Sequence, residues 1–364
     1  MRKDWEYKKW ADVLTIINGK NQKAVESIDG TYPIYGSGGI MGYANDWLCP
    51  ENCTIIGRKG NINKPIFVES KFWNVDTAFG LNSNQNLLAS KYLYYFCLNY
   101  DFNRHNKAVT IPSLTKVDLL KIEMPLPPKP TQLAIVAELD KINELIQLKK
   151  QQLEDYDQLA QSIFYEMFGD PVENEKGWEV KKLREIALEK MSYGSGASAV
   201  PYNQKIRYIR ITDIDELGCL KKDIVSPNIC EDKYLLSDGD ILFARSGATV
   251  GKTFLFKSTY GSCIYAGYLI RLRPNTQIVI PEYVYHYTKT HYYRSFIESN
   301  QRVVAQPNIN AQQYSSLKLP LPPLPLQQQF AARIEAIERQ KQQVSETIKD
   351  LETLLASRMQ YWFD

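Results

Sequence analysis

Two stretches of the chain repeat at a fixed offset, and each leads into an apolar run too long and regular for anything but an extended helix. Pro125-Leu126-Pro127-Pro128 recurs 195 residues later as Pro320-Leu321-Pro322-Pro323. The same offset carries Pro112 and Leu114 onto Pro307 and Ile309, and Gln132, Ala137 and Leu139 onto Gln327, Ala332 and Ile334. The first run is Ile135, Leu139, Ile142, Ile146, Lys149, Leu153, Tyr156, Ala160, Ile163 and Met167. The second is Phe330, Ile334, Ile337, Lys341, Val344, Ile348, Leu351, Leu355, Arg358 and Trp362. Steps of four and three alternate throughout, which is a heptad seam. The prolines just before each run set its start, and no Pro or Gly interrupts it. Each helix is expected to hold about 37 residues, roughly 55 Å at 1.5 Å per residue. With one seam apiece, the two are expected to pack against each other, antiparallel. The seam lysines either fix register at a cost in stability or mark a solvated kink.

The segment after the first run is also doubled. Gly177-Trp178-Glu179-Val180-Lys181-Lys182 resembles Asp4-Trp5-Glu6-Tyr7-Lys8-Lys9, so the sequence that follows the first helix is the one that opens the chain. The expected order is globule, helix, globule, helix, with a pseudo-twofold repeat and neighbouring termini. The boundaries read as a globule over 1–130, a helix over 131–171, a second globule over 172–325 and a second helix over 326–364. The fold class is mixed α/β: two strand-rich globules joined by two long helices packed as an antiparallel coiled coil.

Composition limits what the globules can do. A length of 364 residues suits two domains. At 44% hydrophobic and 23% charged, wholesale disorder is excluded. A net charge of +3 excludes a histone-like binder but not a locally basic one. Residues 1–130 carry 16 basic and 12 acidic side chains, and residues 172–325 carry 20 and 15. The first helix with its tail is net −5 and the second net −1. Positive globules on acidic or neutral helices suggest that the globules meet an anion. Met1-Arg2-Lys3-Asp4-Trp5 is no secretory signal, and no window approaches the roughly 18 apolar residues of a membrane helix. Six cysteines without a CxxC pair read as reduced thiols of a cytoplasmic protein rather than a disulfide framework or zinc site.

Within the globules, Ile206–Ile211 alternates as a strand should. Cys53–Arg58 and Asp240–Arg245 read as buried strands ending in a cation, and both then turn through glycine as Arg58-Lys59-Gly60 and Arg245-Ser246-Gly247. A cation on such a turn is placed to meet a phosphate or a guanine edge. A solvated surface arginine is the alternative, made less attractive by recurrence in both halves. Two near-motifs fail on spacing. Gly247–Thr253 has three residues between its glycines where a phosphate loop needs four, and Phe254-Leu255-Phe256 reads as strand rather than helix. Gly36–Gly42 likewise misses the dinucleotide spacing by one residue. None of the three histidines sits in a triad-like context.

On these residues the chain resembles the DNA-specificity subunits of type I restriction–modification enzymes. Tyr32–Tyr43 and Ile56–Pro65 carry the likeness in the first globule, Tyr208–Ile214 and Gly239–Gly247 in the second, together with each Pro-Leu-Pro-Pro leading into a Gln-bearing helix. The resemblance implies two target recognition domains, each reading half of a bipartite double-stranded DNA site. It also implies a helical spacer between them. Two modification (methyltransferase) subunits and restriction/translocase subunits would dock on the chain, bringing S-adenosylmethionine, ATP and Mg that the chain itself does not hold. The absence of an Asn-Pro-Pro-aromatic run agrees with a non-catalytic, cytoplasmic subunit. Expected DNA contacts are Tyr35, Ser37, Arg58, Lys59, Lys64 and Lys107 in the first globule. In the second they are Tyr193, Ser195, Arg207, Arg210, Arg245, Ser246, Lys252 and Arg302. Seam positions Ile135, Ile142, Leu153, Phe330, Ile337 and Ile348 are the expected partner-binding residues. The rival readings are a solitary or silent specificity subunit, a structural coiled-coil linker, and a nucleotide-using enzyme.

Overall fold

The computed structural model describes residues 5–106, 111–215, 218–221, 223–301 and 308–364. The first half runs β1 (Glu6–Lys9), α1 (Trp10–Val13), β2 (Leu14–Asn18), β3 (Tyr32–Gly36), β4 (Gly39–Ala44), β5 (Cys53–Gly57), β6 (Ile66–Val68), β7 (Trp73–Asn74), β8 (Ala78–Ser83), α2 (Ser90–Asn99), α3 (Lys116–Leu119), β9 (Glu123–Leu126) and α4 (Lys129–Phe168). The second runs β10 (Glu179–Lys182), α5 (Leu183–Ile186), β11 (Ser192–Tyr193), β12 (Ala199–Pro201), β13 (Arg207–Ile209), β14 (Val225–Pro227), β15 (Ile241–Ala244), β16 (Thr253–Leu255), β17 (Cys263–Tyr265), β18 (Leu269–Leu272), α6 (Pro281–Tyr287), α7 (His291–Gln301), α8 (Ala311–Ser315), β19 (Lys318–Leu321) and α9 (Leu324–Phe363).

The repeat seen in the sequence is a repeat of topology. The first half has a four-stranded sheet in the order β2-β8-β5-β6, and the second has β11-β18-β15-β16. All pairs in both sheets are antiparallel. The unbroken apolar strands β5 and β15 lie inside these sheets, with every residue buried, as a strand covered on both faces must be. Among the described residues each half also holds a parallel strand pair, β3 with β7 and β13 with β17. Each proline stretch continues a strand that pairs with the opening strand of its half: Glu6 faces Leu126 in one, Glu179 faces Leu321 in the other.

The heptad runs form α4 and α9, 40 residues each. Both begin two residues before the sequence boundaries, because Pro130 and Pro325 sit inside the first turn. A missing N–H costs nothing there. The chain divides into two compact units, Met1–Gln151 with Val344–Asp364 and Gln152–Gln343. Each long helix is thus shared between units rather than forming a segment of its own. The reason is burial. In the first unit the globule core continues into Ile135, Val136, Leu139 and Phe363. In the second it continues into Ala160, Phe164, Met167, Phe168, Phe330, Ile334 and Ile337.

Within each unit the two helix portions run antiparallel. In the first, Glu138 pairs with Arg358 and Lys150 with Glu352. In the second, Asp157 pairs with Lys341 at 2.8 Å and Glu166 with Arg333 at 3.9 Å. Lys341 also meets Glu338 at 3.1 Å, so this seam lysine is an ion-paired register point rather than a solvated kink. In the first unit Trp5 stacks on Trp362, ring centroids 6.1 Å apart, so the two ends of the described chain are neighbours. In the second unit the corresponding Trp178 donates from Nε1 to the Phe168 carbonyl at 2.9 Å.

A glutamine latches each globule to its helix. Gln132, fully buried, accepts from the Ala89 N–H at 2.8 Å and donates to the carbonyls of Leu87 and Pro127, both at 2.9 Å. Gln327, equally buried, accepts from the Ile280 N–H at 2.8 Å and donates to Pro322 at 2.7 Å and Ile278 at 3.5 Å. Beside each latch a tyrosine hydroxyl, Tyr92 or Tyr283, donates to the second-last carbonyl of the proline strand, Pro125 or Pro320.

The seam positions expected to bind partners lie largely inside this chain's own packing. Ile135, Ile142, Phe330, Ile337 and Ile348 are buried and Leu153 is half-buried. A seam that packs its own chain is spent. The outward faces of the helices expose Leu133, Leu145, Leu148, Leu159 and Leu354.

Candidate nucleic-acid interface

The two expected cationic turns are built alike. Arg58 and Arg245 directly follow β5 and β15, and each is pinned by its backbone. Arg58 N–H donates to the Thr77 carbonyl at 2.8 Å and Arg245 N–H to Tyr268 at 3.1 Å. Their carbonyls accept from Leu114 and Ile309, both at 2.9 Å. Lys59 bridges to Ser113 and Ser246 to Asn308, and Ser113 and Asn308 are again 195 residues apart. Gly60 and Gly247 then take φ of +76° and +68°, a left-handed conformation that glycine adopts freely.

In the first globule Arg58 and Lys59 are exposed, with the Arg58 guanidinium 5.7 Å above the Phe79 ring. The β3–β4 turn joins them: Ser37 Oγ donates to the Lys59 carbonyl at 3.4 Å. Ile40 and Met41 stand exposed on the same hairpin. Tyr35 is half-buried with its ring edge-on to Phe72, and desolvation pushes its hydroxyl pKa up. Lys64 is exposed on the loop after β5. Lys107 lies outside the described residues.

In the second globule the structure gathers Tyr193, Arg245 and Ser246. The Arg245 guanidinium lies 4.7 Å over the Tyr193 ring, and its Nε donates to Asn308 Oδ1 at 3.3 Å. Tyr268 is 62% exposed beside them. Lys252 lies on the returning limb, its carbonyl accepting from Ala244 N–H. Three expected contacts point elsewhere. Arg207 is buried and gives Nη2 to the Lys221 carbonyl at 2.7 Å. Arg210 is forked onto the buried Asp213, Nη2 to Oδ1 at 2.7 Å and Nε to Oδ2 at 3.0 Å. Ser195 is buried and its hydroxyl accepts from Ala197 N–H at 3.1 Å. These groups close turns around the β13–β17 pair. The alternation across Ile206–Ile211 shortens to the strand β13, all three of whose residues are buried. Arg302 lies outside the described residues.

A model of the type I restriction modification DNA specificity domain matches residues 2–155 and again 175–353. The chain belongs to this family. The specificity-domain match falls once on each half, as the doubled sheets do. The chain is similar to the MjaVIII specificity subunit of Methanocaldococcus jannaschii, 23% identical over 97% of this chain and 92% of that one. The fold is that of the type I specificity subunit from M. genitalium, with a TM-score of 0.59 over 99% of this chain and 96% of that one at 16% identity. A second solved chain, from a study of complex assembly in the type I system, gives 0.55 over 99% and 97%.

Asn308, Tyr268, Thr77 and Ser113, which the structure places at the two arginine turns, were not among the expected residues. The signal for Ser113 and Asn308 was present, since both sit inside the Pro-x-Leu/Ile triplet that repeats at 195. That for Thr77 and Tyr268 was not, because only strand pairing brings them to the arginines. No helix among the described residues is long and apolar enough to cross a membrane.

Proposed function

We propose that this chain is the DNA-reading subunit of a type I restriction–modification complex, each globule reading one half of a bipartite double-stranded target. The observation that supports it is the doubled turn: one sheet, built twice, ends a buried strand in an exposed or half-exposed arginine beside hydroxyl and amide side chains. Phosphate contacts would set register, and the few side chains reaching base edges would carry sequence. In this reading the chain performs no chemistry. Modification subunits dock on outward helix faces and carry S-adenosylmethionine, and restriction subunits bring ATP and Mg. The segment that approaches a phosphate loop supports no nucleotide site, since a strand, β16, follows it.

The test is co-expression of the chain with its modification subunits in a methylation-free host, followed by mapping of methylated bases. Methylation at a split motif of two short elements and a fixed gap is expected. Replacing residues 10–120 by another family member's first globule should change one element only. A contiguous motif, or a change in both elements, would overturn the reading.

A further inference from the structure

The two arginine turns share a backbone but hold their guanidinium groups differently. Arg58 is exposed and carries no described hydrogen bond on its guanidinium, which sits 5.7 Å from one ring. Arg245 is held on two sides. The Tyr193 ring covers one side of the guanidinium, its centroid 4.7 Å away, and Asn308 Oδ1 accepts a hydrogen bond from Nε–H at 3.3 Å.

Both holders are themselves fixed. Tyr193 is in β11, in register with Ile270 of β18, and its hydroxyl accepts from Ala311 N–H at 3.0 Å. Ala311 opens α8, whose start is closed by a reciprocal pair: Asn310 Oδ1 accepts from Gln313 N–H and Gln313 Oε1 from Asn310 N–H, both at 2.9 Å. Asn308 bridges Ser246 through the backbone.

With Nε committed, the side-on face of the guanidinium is occupied. What remains is the end-on pair Nη1 and Nη2, neither with a partner among the described residues. An arginine fork also matches a phosphate, but a phosphate contact carries no sequence information, so a guanidinium oriented for one acceptor pair gives selectivity only against a base edge. Guanine O6 and N7 are the pair that an arginine fork matches in the major groove.

We propose that Tyr193 and Asn308 are positioning residues that hold Arg245 as an end-on fork for one guanine in the half-site of the second globule. This rests on the DNA-reading function above and deepens it.

The experiment uses the full chain assembled with its modification subunits and a library of duplexes randomised one position at a time across both half-sites. Arg245→Lys keeps the charge and loses the fork. It should reduce the preference for guanine at a single position roughly ten- to a hundred-fold, with the salt slope unchanged. Asn308→Ala should reduce the same preference roughly five-fold, the worth of one hydrogen bond, and add nothing in the Arg245→Lys background. Asn308→Asp keeps the acceptor and should keep the preference. Unchanged reading of the first half-site serves as the folding control in every variant. An even loss across all sequences, a preference unchanged at every position, or an Asn308 effect that persists without Arg245 would overturn the proposal. A parent complex with no sequence preference would instead overturn the DNA-reading function itself.

Discussion

Replacing Gln132 by leucine keeps the volume at the latch and removes its polar atoms. Three backbone groups lose their partner: the N–H of Ala89 and the carbonyls of Pro127 and Leu87. The Ala89 and Pro127 bonds are buried, while the Leu87 bond is part-buried and its carbonyl can recover water. Each buried group left unpaired costs about 1–3 kcal/mol, so the substitution should cost about 2–5 kcal/mol. At Gln327 only the bond to Pro322 is fully buried; those to Ile280 and Ile278 are part-buried and one is 3.5 Å long. Gln327→Leu should therefore cost less, about 1–3 kcal/mol. Urea unfolding of the full chain gives the totals. Hydrogen exchange followed at the Ala89 and Ile280 amides gives the local effect, and each should lose protection only in its own variant. A cost below about 0.5 kcal/mol at both sites, or a larger cost at Gln327, would refute the assignment of the latch energy to buried backbone partners.

Arg58→Ala should weaken binding evenly across sequences and lower the salt slope by about one, read by titration at several salt concentrations; a changed base preference would count against a phosphate contact. Burial holds the Lys289 ammonium down to about 8, with Lys341 pressing the same way and Cys219, Asp157 and Asp215 opposing. The unfolded chain keeps that proton to about pH 10.4, so between about pH 8 and 10 it binds more protons and Lys289's contribution to stability rises with pH. The advantage of Lys289→Met over the parent should accordingly shrink across that window in urea melts, and a constant difference would contradict it. Cys230 should alkylate first at pH 8, followed by Cys219, whose thiol is pushed up by desolvation and Asp215. Cys49, Cys53, Cys97 and Cys263 are buried, with desolvation pushing Cys53 to about 12 and Cys263 to about 11, and mass spectrometry should find them modified only on unfolding.

Much of this architecture was legible because it is written in spacing. The alternating four-three seam announced α4 and α9, and the repeated Trp-Glu-x-Lys-Lys segment announced the neighbouring ends that Trp5 and Trp362 form. Helix starts were displaced by two residues because a proline looks like a stop in sequence yet fits a first turn. The strand-end arginines were legible as well, since a buried run followed by a cation and a glycine is a local pattern. What a cation does with its far end is not local. Arg207, Arg210 and Arg245 look equivalent in sequence, but Lys221 and Asp213 claim the first two, and Asn308, 63 residues away, claims the third. The mutual packing of the two seams was legible, since a heptad names a buried stripe, whereas nothing in a heptad names a partner chain.

The glutamine latches have a consequence for heredity. Each grips only main-chain groups, one N–H and two carbonyls, and the adjoining tyrosine hydroxyl grips another carbonyl. Such a socket asks for a helix start and a proline strand of the right shape and is indifferent to the side chains at the arginine turns. A foreign globule brought in by recombination would find this main-chain grip already in place, and the match it must make lies in the apolar contacts with the helix side chains. Because the socket occurs twice in one chain, a globule moved from one half to the other meets the same kind of main-chain grip.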